Sequence, residues 1–271
     1  MSDVSVIIDN GTSTIKAGFS DDDMPRAVIP TVLGKPTSTQ GAPVEAPPQD
    51  QNNEEDKNEQ LDIFVGEEAL SKEGTLQLIH PIQMGKIVDY DSVELIWKHI
   101  FYNELLAEPK KHSVIVTEAP FADYNNRKKM AQILFDNLGV EKLYITNNST
   151  LALFANGKTT GTVVDIGYGT TSFVPIYEGF ALNHAVSNID IGGKDLTDFF
   201  CQIIGEHKPN RKYEEKSDKQ MINDLKEKIC EVAEDYDSQI KKCMDSNQCE
   251  EYELPDGKKV YINLDKAYFK I

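Results

Sequence analysis

Two short stretches of this 271-residue chain share a pattern of residue types that could hold a phosphate and a divalent cation. The first reads Ile8-Asp9-x-Gly11-x-Ser13-Thr14 and the second Val164-Asp165-x-Gly167-x-Gly169-Thr170, and they superimpose at a single offset. Each sets a carboxylate at the end of a β-rich apolar run and follows it with small residues. Successive exposed peptide N–H groups in such a turn form a nest suited to phosphate. A carboxylate beside the nest can hold a hydrated divalent cation, which keeps several waters and takes one or two carboxylates. A single Asp-x-Gly turn is an ordinary hairpin. Present once in each half of the chain, it predicts two hairpins gripping a triphosphate from both sides of a cleft.

The elements around these turns predict an α/β fold. Val4 to Asp9 and Ile15 to Phe19 read as strands of one hairpin, and Thr162 onward repeats the pattern. Val93, Ile96, Trp97, Ile100, Phe101 and Leu105 share one helical face over 92–106, with Ser92 as the expected N-cap. Ser113 to Thr117 reads as a strand. Met130, Ile133, Leu134 and Leu138 mark a helix stopped by Gly139, followed by a strand at 143–146 and a short helix to Gly157. Strands alternating with helices imply a sheet with helical crossovers. Further on, Leu196, Phe199, Phe200, Ile203 and Ile204 predict one helical face. A capping box at Ser217 to Gln220 opens a longer helix through Ile222, Leu225, Ile229, Val232, Tyr236 and Ile240. A hairpin with a Pro-Asp-Gly turn over 252–262 closes the pattern.

Residues 36–60 stand apart, with four prolines, six acids, one lysine and only Ala42, Val44 and Ala46 as aliphatics. Such a stretch buries too little apolar surface to offset its ordering entropy, so a disordered acidic insertion within the first domain is expected. The whole chain carries 28 basic and 45 acidic residues, a net charge of −17. That balance argues against direct nucleic-acid binding, which needs a basic stripe, and against an anionic membrane surface. No apolar run approaches the length of a membrane helix, and Met1 to Val6 carries no secretory signal pattern. The four cysteines form no CxxC pair, so a reducing, intracellular setting is expected.

Longer segments resemble the actin family. They include Asp9-Asn-Gly-Thr-Ser-Thr-Ile-Lys16-Ala-Gly-Phe, Pro25-Arg-Ala-Val-Ile-Pro, Ile96-Trp-Lys-His-Ile-Phe-Tyr-Asn-Glu-Leu and Thr117-Glu-Ala-Pro. Val174-Pro-Ile-Tyr-Glu-Gly-Phe-Ala-Leu, Asp195-Leu-Thr-Asp, Leu225-Lys-Glu-Lys-Ile-Cys and Tyr252-Glu-Leu-Pro-Asp-Gly continue the match in order. The resemblance implies an actin-like ATPase-domain fold, two α/β lobes around a nucleotide cleft, with 1–157 as the first lobe and 158–271 as part of the second. It implies ATP or ADP with magnesium as the cofactor. Asp9 and Asp165 match the acids that hold the hydrated cation. Gly11, Thr12 and Ser13 match the first phosphate loop, Lys16 the phosphate lysine, and Gly167 and Gly169 the second phosphate loop. Gly193 matches a glycine packed near the nucleotide, while Lys226 and Glu227 match the pair lining the adenine and ribose pocket.

Departures from the pattern bear on activity. Asn148 stands where the family has a water-positioning glutamine, and Ser172 where it has the histidine that helps orient that water. Tyr168 replaces an aspartate and Ser13 a glycine of the phosphate loops. Met84 replaces a histidine, and Lys86 is an insertion in the sensor loop. Binding is therefore expected to survive better than hydrolysis, which depends on Asn148 and Asp165 as the remaining catalytic candidates. The acidic 36–60 segment replaces the loop inserted into a neighbouring subunit. A chain ending at Ile271 is expected to lack the third nucleotide loop and to leave the second lobe incomplete. Three readings follow: a divergent cytoskeletal actin, a non-polymerising scaffold subunit of a cytoskeletal or chromatin complex, or a truncated, non-functional actin. The first implies actin or actin-binding proteins as partners, no homo-filament, and a cytoplasmic, cytoskeletal or nuclear location.

Overall fold

The computed structural model describes residues 4–36, 63–72, 74–206, 216–238, 241, 249–253, 259–263 and 268–269. Apart from Pro36, the acidic 36–60 segment lies outside them. The chain forms two compact units, Met1–Asp190 and Ile191–Ile271.

In the first unit, β1 (Val6–Asn10) and β2 (Thr14–Phe19) form the expected hairpin, with Asp9 opposite Lys16 and Asn10 opposite Ile15. A third strand, β3 (Ala27–Pro30), extends it on the β2 side. The next segments are β4 (Leu33–Pro36), β5 (Phe64–Val65), α1 (Glu67–Ser71) and β6 (Leu76–Ile79), whose strands make a separate three-stranded sheet. A tight hairpin, β7 (Ile82–Gln83) and β8 (Lys86–Ile87), turns through Met84 at φ 49° and Gly85 at φ 72°. Two consecutive left-handed residues match the twist of the flanking strands.

The helix α2 (Tyr90–His99) continues as a π-turn over Ile100–Glu104, so the 92–106 expectation starts two residues early in the structure and changes pitch near its end. Its N-cap is Asp89, not Ser92. Asp89 has extended backbone geometry, and its carboxylate accepts from the Ser92 N–H at 3.2 Å and the Ser92 hydroxyl at 2.6 Å. Ser92 thus supplies the donors that the cap needs. These hydrogen bonds also hold the Asp89 carboxyl below its ordinary range. The anticipated apolar face is buried from Val93 to Leu105.

Two parallel strands then join the β1 side of the first sheet: β9 (Ser113–Glu118) and, after α3 (Tyr124–Gln132) with its terminal π-turn at Ile133–Asn137, β10 (Lys142–Asn147). The sheet order is β10-β9-β1-β2-β3. Its core holds Val6, Ile8 and Ile15 against Trp97, Phe101 and Leu134. Both helices end in a similar way, with N–H bonds from Leu105 to Ile100 and from Leu138 to Ile133 ahead of a left-handed residue, Leu106 or Gly139.

The helix α4 (Asn148–Ala155) leads to a second sheet of β11 (Gly161–Ile166), β12 (Thr171–Tyr177), β13 (Phe180–Ala181) and β14 (Ser187–Ile189). Its β11–β12 hairpin is the expected copy of β1–β2, with Asp165 opposite Ser172.

The second unit contains α5 (Gly193–Glu206) and α6 (Lys216–Ile229), packed through Phe200, Ile222 and Leu225. Three expectations change here. Phe199 is about half exposed (52 %) rather than sharing the buried face with Phe200. The neighbouring residues point in directions about 100° apart on a helix, and Phe200 takes the contact with α6. Ser217 lies inside α6 and is not its cap. Finally, α6 stops at Ile229 instead of running to Ile240, because Glu231–Val232 becomes β15 and pairs in parallel with β18 (Tyr268–Phe269). Between them in the chain, β16 (Cys249–Glu253) and β17 (Lys259–Asn263) form the expected hairpin, its Pro-Asp-Gly turn lying outside the described residues.

Candidate functional site

Residues on the β1–β2 hairpin alternate between two environments. Ile8, Ile15 and Ala17 enter the core, which leaves Ile7, Asp9, Lys16 and Gly18 on the opposite face. There Asp9 and Lys16 line a pocket of about 290 Å³ with Asp22, Met24 and Pro25. Lys16 is exposed and carries a mobile point charge on a long stem.

At the hairpin tip, carbonyls and N–H groups are sorted. The buried Thr31 takes both carbonyls, its hydroxyl donating to Gly11 O at 2.8 Å and its N–H to Ser13 O at 2.8 Å. The peptide N–H groups of Gly11, Thr12 and Ser13 make no hydrogen bond among the described residues. Three consecutive donors remain available to an anion.

The second hairpin tip comes close to the first. A Cβ added at Gly169 would lie 3.0 Å from Thr12 Oγ1, 3.1 Å from Thr12 Cγ2 and 3.0 Å from Met84 Cα. No larger residue fits that approach without a shift. Thr12 is held there, its hydroxyl accepting the Gly85 N–H at 3.0 Å. Within its own turn, Gly167 donates to Thr170 O at 2.9 Å. Gly11, Thr12, Gly169 and the Met84–Gly85 turn thus meet at one place.

Both carboxylates are pinned at one oxygen by a neutral donor. Thr117, at the end of β9, donates to Asp9 Oδ1 at 2.7 Å, and Asn148, at the start of α4, donates to Asp165 Oδ2 at 3.0 Å. The other oxygen of each takes no hydrogen bond among the described residues. Two carboxylates with a spare oxygen apiece suit a hydrated magnesium ion, which takes few protein ligands. No group of three or more His, Cys, Asp or Glu able to hold a metal occurs among the described residues.

Gly193, Lys226 and Glu227 meet in the second unit. The Lys226 ammonium donates to Gly193 O at 3.0 Å, Thr197 Oγ1 at 2.8 Å and Asn223 Oδ1 at 3.0 Å. Asn223 in turn donates to Glu227 Oε1 at 2.9 Å. Burial pushes the Lys226 pKa down and lifts the neighbouring Cys230 thiol to about 11. Lys226 is a partly buried bracket between α5 and α6, not a solvated helix-face lysine.

Several residues here lay outside the sequence reading as site residues: Asn10, Thr31, Gly85, Trp97, Thr117 and Glu118. Asn10, Trp97, Thr117 and Glu118 stood within quoted segments, and Gly85 between two noted departures. Their polar contacts span up to 108 positions, so no local pattern reveals them. Glu118 is buried and paired with Arg127, while its Oε2 has no hydrogen-bond partner among the described residues.

The chain thus carries two β-hairpins, each with an aspartate pinned by a neutral donor, whose glycine-bearing tips come together. A family model described as Actin matches residues 2–271, and the chain belongs to the actin family. No helix among the described residues is long and apolar enough to cross a membrane.

Proposed function

We propose that the chain is a divergent actin-like protein that binds ATP or ADP with magnesium and hydrolyses ATP very slowly. The observation that carries this reading is the convergence of the two hairpin tips, with the N–H groups of Gly11, Thr12 and Ser13, which make no hydrogen bond among the described residues, at their meeting point. Those donors and Lys16 would receive phosphate oxygens, while Asp9 and Asp165 would hold the cation through water. The cation would neutralise phosphate charge. By resemblance to the family, Gly193, Lys226 and Glu227 would contact the base and ribose.

Slow hydrolysis is supported by how Asn148 is committed. Its Nδ2 donates to Asp165, and its Oδ1 accepts the Ser149 N–H at 2.8 Å. These two bonds aim the amide at Asp165 and at its own helix, so it is not free to follow a water into line. Ser172, in place of the family histidine, is buried at 3 % exposure on β12. Misplacing an attacking group by ~1 Å can cost about a hundredfold.

The same reading extends to assembly. A net charge of −17 and the acidic run over 36–60 oppose packing like subunits end to end, so the pure chain would not form ordinary actin filaments. Actin or actin-binding proteins in the cytoplasm, at the cytoskeleton or in the nucleus would be its partners, with neither nucleic acid nor membrane bound directly. The test is to denature the purified chain, chromatograph any released nucleotide, and then follow phosphate release and sedimentation with magnesium and ATP. Bound nucleotide, negligible turnover and no pellet support the reading. Absence of nucleotide favours a scaffold role, and actin-like turnover or filaments overturn the corresponding part.

A further inference from the structure

We propose that Thr117 is a positioning residue for Asp9: its hydroxyl fixes which carboxylate oxygen faces the cation. The inference rests on the nucleotide-binding reading and adds a residue that the reading itself does not use. Thr117 is buried, 3 % exposed, at the end of β9. Its Oγ1 accepts the Asn10 N–H at 2.9 Å and donates to Asp9 Oδ1 at 2.7 Å.

The direction of every proton in this network is determined. An ionised carboxylate only accepts, so the single Thr117 hydroxyl proton points to Asp9. Asn10 Nδ2 donates to the Thr117 carbonyl at 3.1 Å, which turns Asn10 Oδ1 toward the indole N–H of Trp97 at 3.1 Å. Trp97 is wholly buried in the core beneath the sheet. The chain Trp97, Asn10, Thr117, Asp9 therefore ties a half-buried carboxylate to the buried core of the unit.

The donor's neutrality matters as much as its position. A lysine or arginine in its place would orient Asp9 but cancel the charge that a cation needs. A hydroxyl holds the carboxylate and leaves its full negative charge. Asp165 has a matching arrangement, since Asn148 donates from Nδ2 while its own Oδ1 is fixed by the Ser149 N–H. Each hairpin thus offers one free, oriented oxygen. Partners of this kind typically govern 10–100-fold in metal affinity.

The test uses the full chain and its Thr117→Val and Thr117→Ser variants, with Trp97 fluorescence reporting that the first unit is folded. NMR side-chain couplings of Asp9 are expected to show a single χ1 rotamer in the wild type and Thr117→Ser, and averaging in Thr117→Val. In the same proteins, the magnesium concentration that half-saturates ATP binding should rise roughly 10- to 100-fold in Thr117→Val. It should return to within a few-fold of wild type in Thr117→Ser, with ATP binding in EDTA unchanged throughout. Averaged Asp9 couplings in the wild type, or a magnesium requirement identical in the Val variant, would overturn the proposal. A wild type that binds no ATP would instead remove the nucleotide reading, and the Asp9 couplings would still decide the role of Thr117.

Discussion

Replacing Gly169 with alanine probes the meeting point of the two hairpins directly. The new methyl group would sit 3.0 Å from Met84 Cα, 3.0 Å from Thr12 Oγ1 and 3.1 Å from Thr12 Cγ2. Neither neighbour yields easily. Met84 belongs to a two-residue turn already in the left-handed region, at φ 49°, and Thr12 is tied by the Gly85 N–H. Overpacking of this kind costs about 1–3 kcal/mol. If Thr12 moves, its hydrogen bond adds about 1 kcal/mol more. The assay is urea and thermal unfolding followed by Trp97, the single tryptophan, which is buried in the same unit and reports on it alone. In a unit of this size each kcal/mol lowers Tm by roughly 2–4 °C. Gly74→Ala is the control, since an added Cβ there meets nothing within 4 Å and the backbone is not left-handed. That change should be neutral or stabilising by about 0.4–1 kcal/mol. Equal unfolding curves for the two variants would refute the claimed contact between the hairpin tips.

Three further outcomes follow from a buried carboxyl and a half-buried thiol. Removing Arg127 as Arg127→Met leaves the buried Glu118 carboxyl without its partner, so it should cost roughly 1–3 kcal/mol in the Trp97-monitored transition, most of it recovered by adding Glu118→Gln. A loss under about 1 kcal/mol would mean that the pair is a surface bridge. Cys230, with its thiol raised to about 11 by burial, should react with iodoacetamide at pH 8 roughly 100-fold more slowly than an ordinary exposed thiol, as read by peptide mass mapping. The sign for stability follows: the native thiol keeps its proton after the unfolded one has lost it, so Cys230 lowers stability as pH rises from about 9 to 11. Lys226 acts in the opposite sense, because its native pKa is depressed and the penalty for charging it fades as pH climbs toward 10.5. Cys230→Ala should therefore flatten the alkaline loss, and an unchanged profile would contradict the assignment.

Residue pattern alone carried the two hairpins, since a carboxylate, a glycine and a return to β-branched residues are local signals. The buried face of α2 was legible for the same reason, through its spacing. Its cap was not: Asp89 and Ser92 are both good cap residues three positions apart, and only the extended backbone at Asp89 separates them. The end of α6 was hidden because Val232 and Tyr236 continue a helical apolar spacing. What stops the helix is pairing with Tyr268 and Phe269, a distant partner that no window contains. Thr117 escaped notice as a site residue because its contacts to Asp9 and Asn10 cross two neighbouring strands that are far apart in sequence. The three neutral acceptors of Lys226 were not legible either, because they come together only through the packing of α5 on α6.

The central claim, a magnesium-dependent nucleotide site built on two pinned aspartates, is tested most directly by calorimetric titration of the purified chain with ATP. The account predicts saturable binding with magnesium present, sharply weakened in EDTA and lost in Asp9→Ala and Asp165→Ala. No heat of binding at millimolar ATP, or binding indifferent to magnesium and to both aspartates, would contradict it.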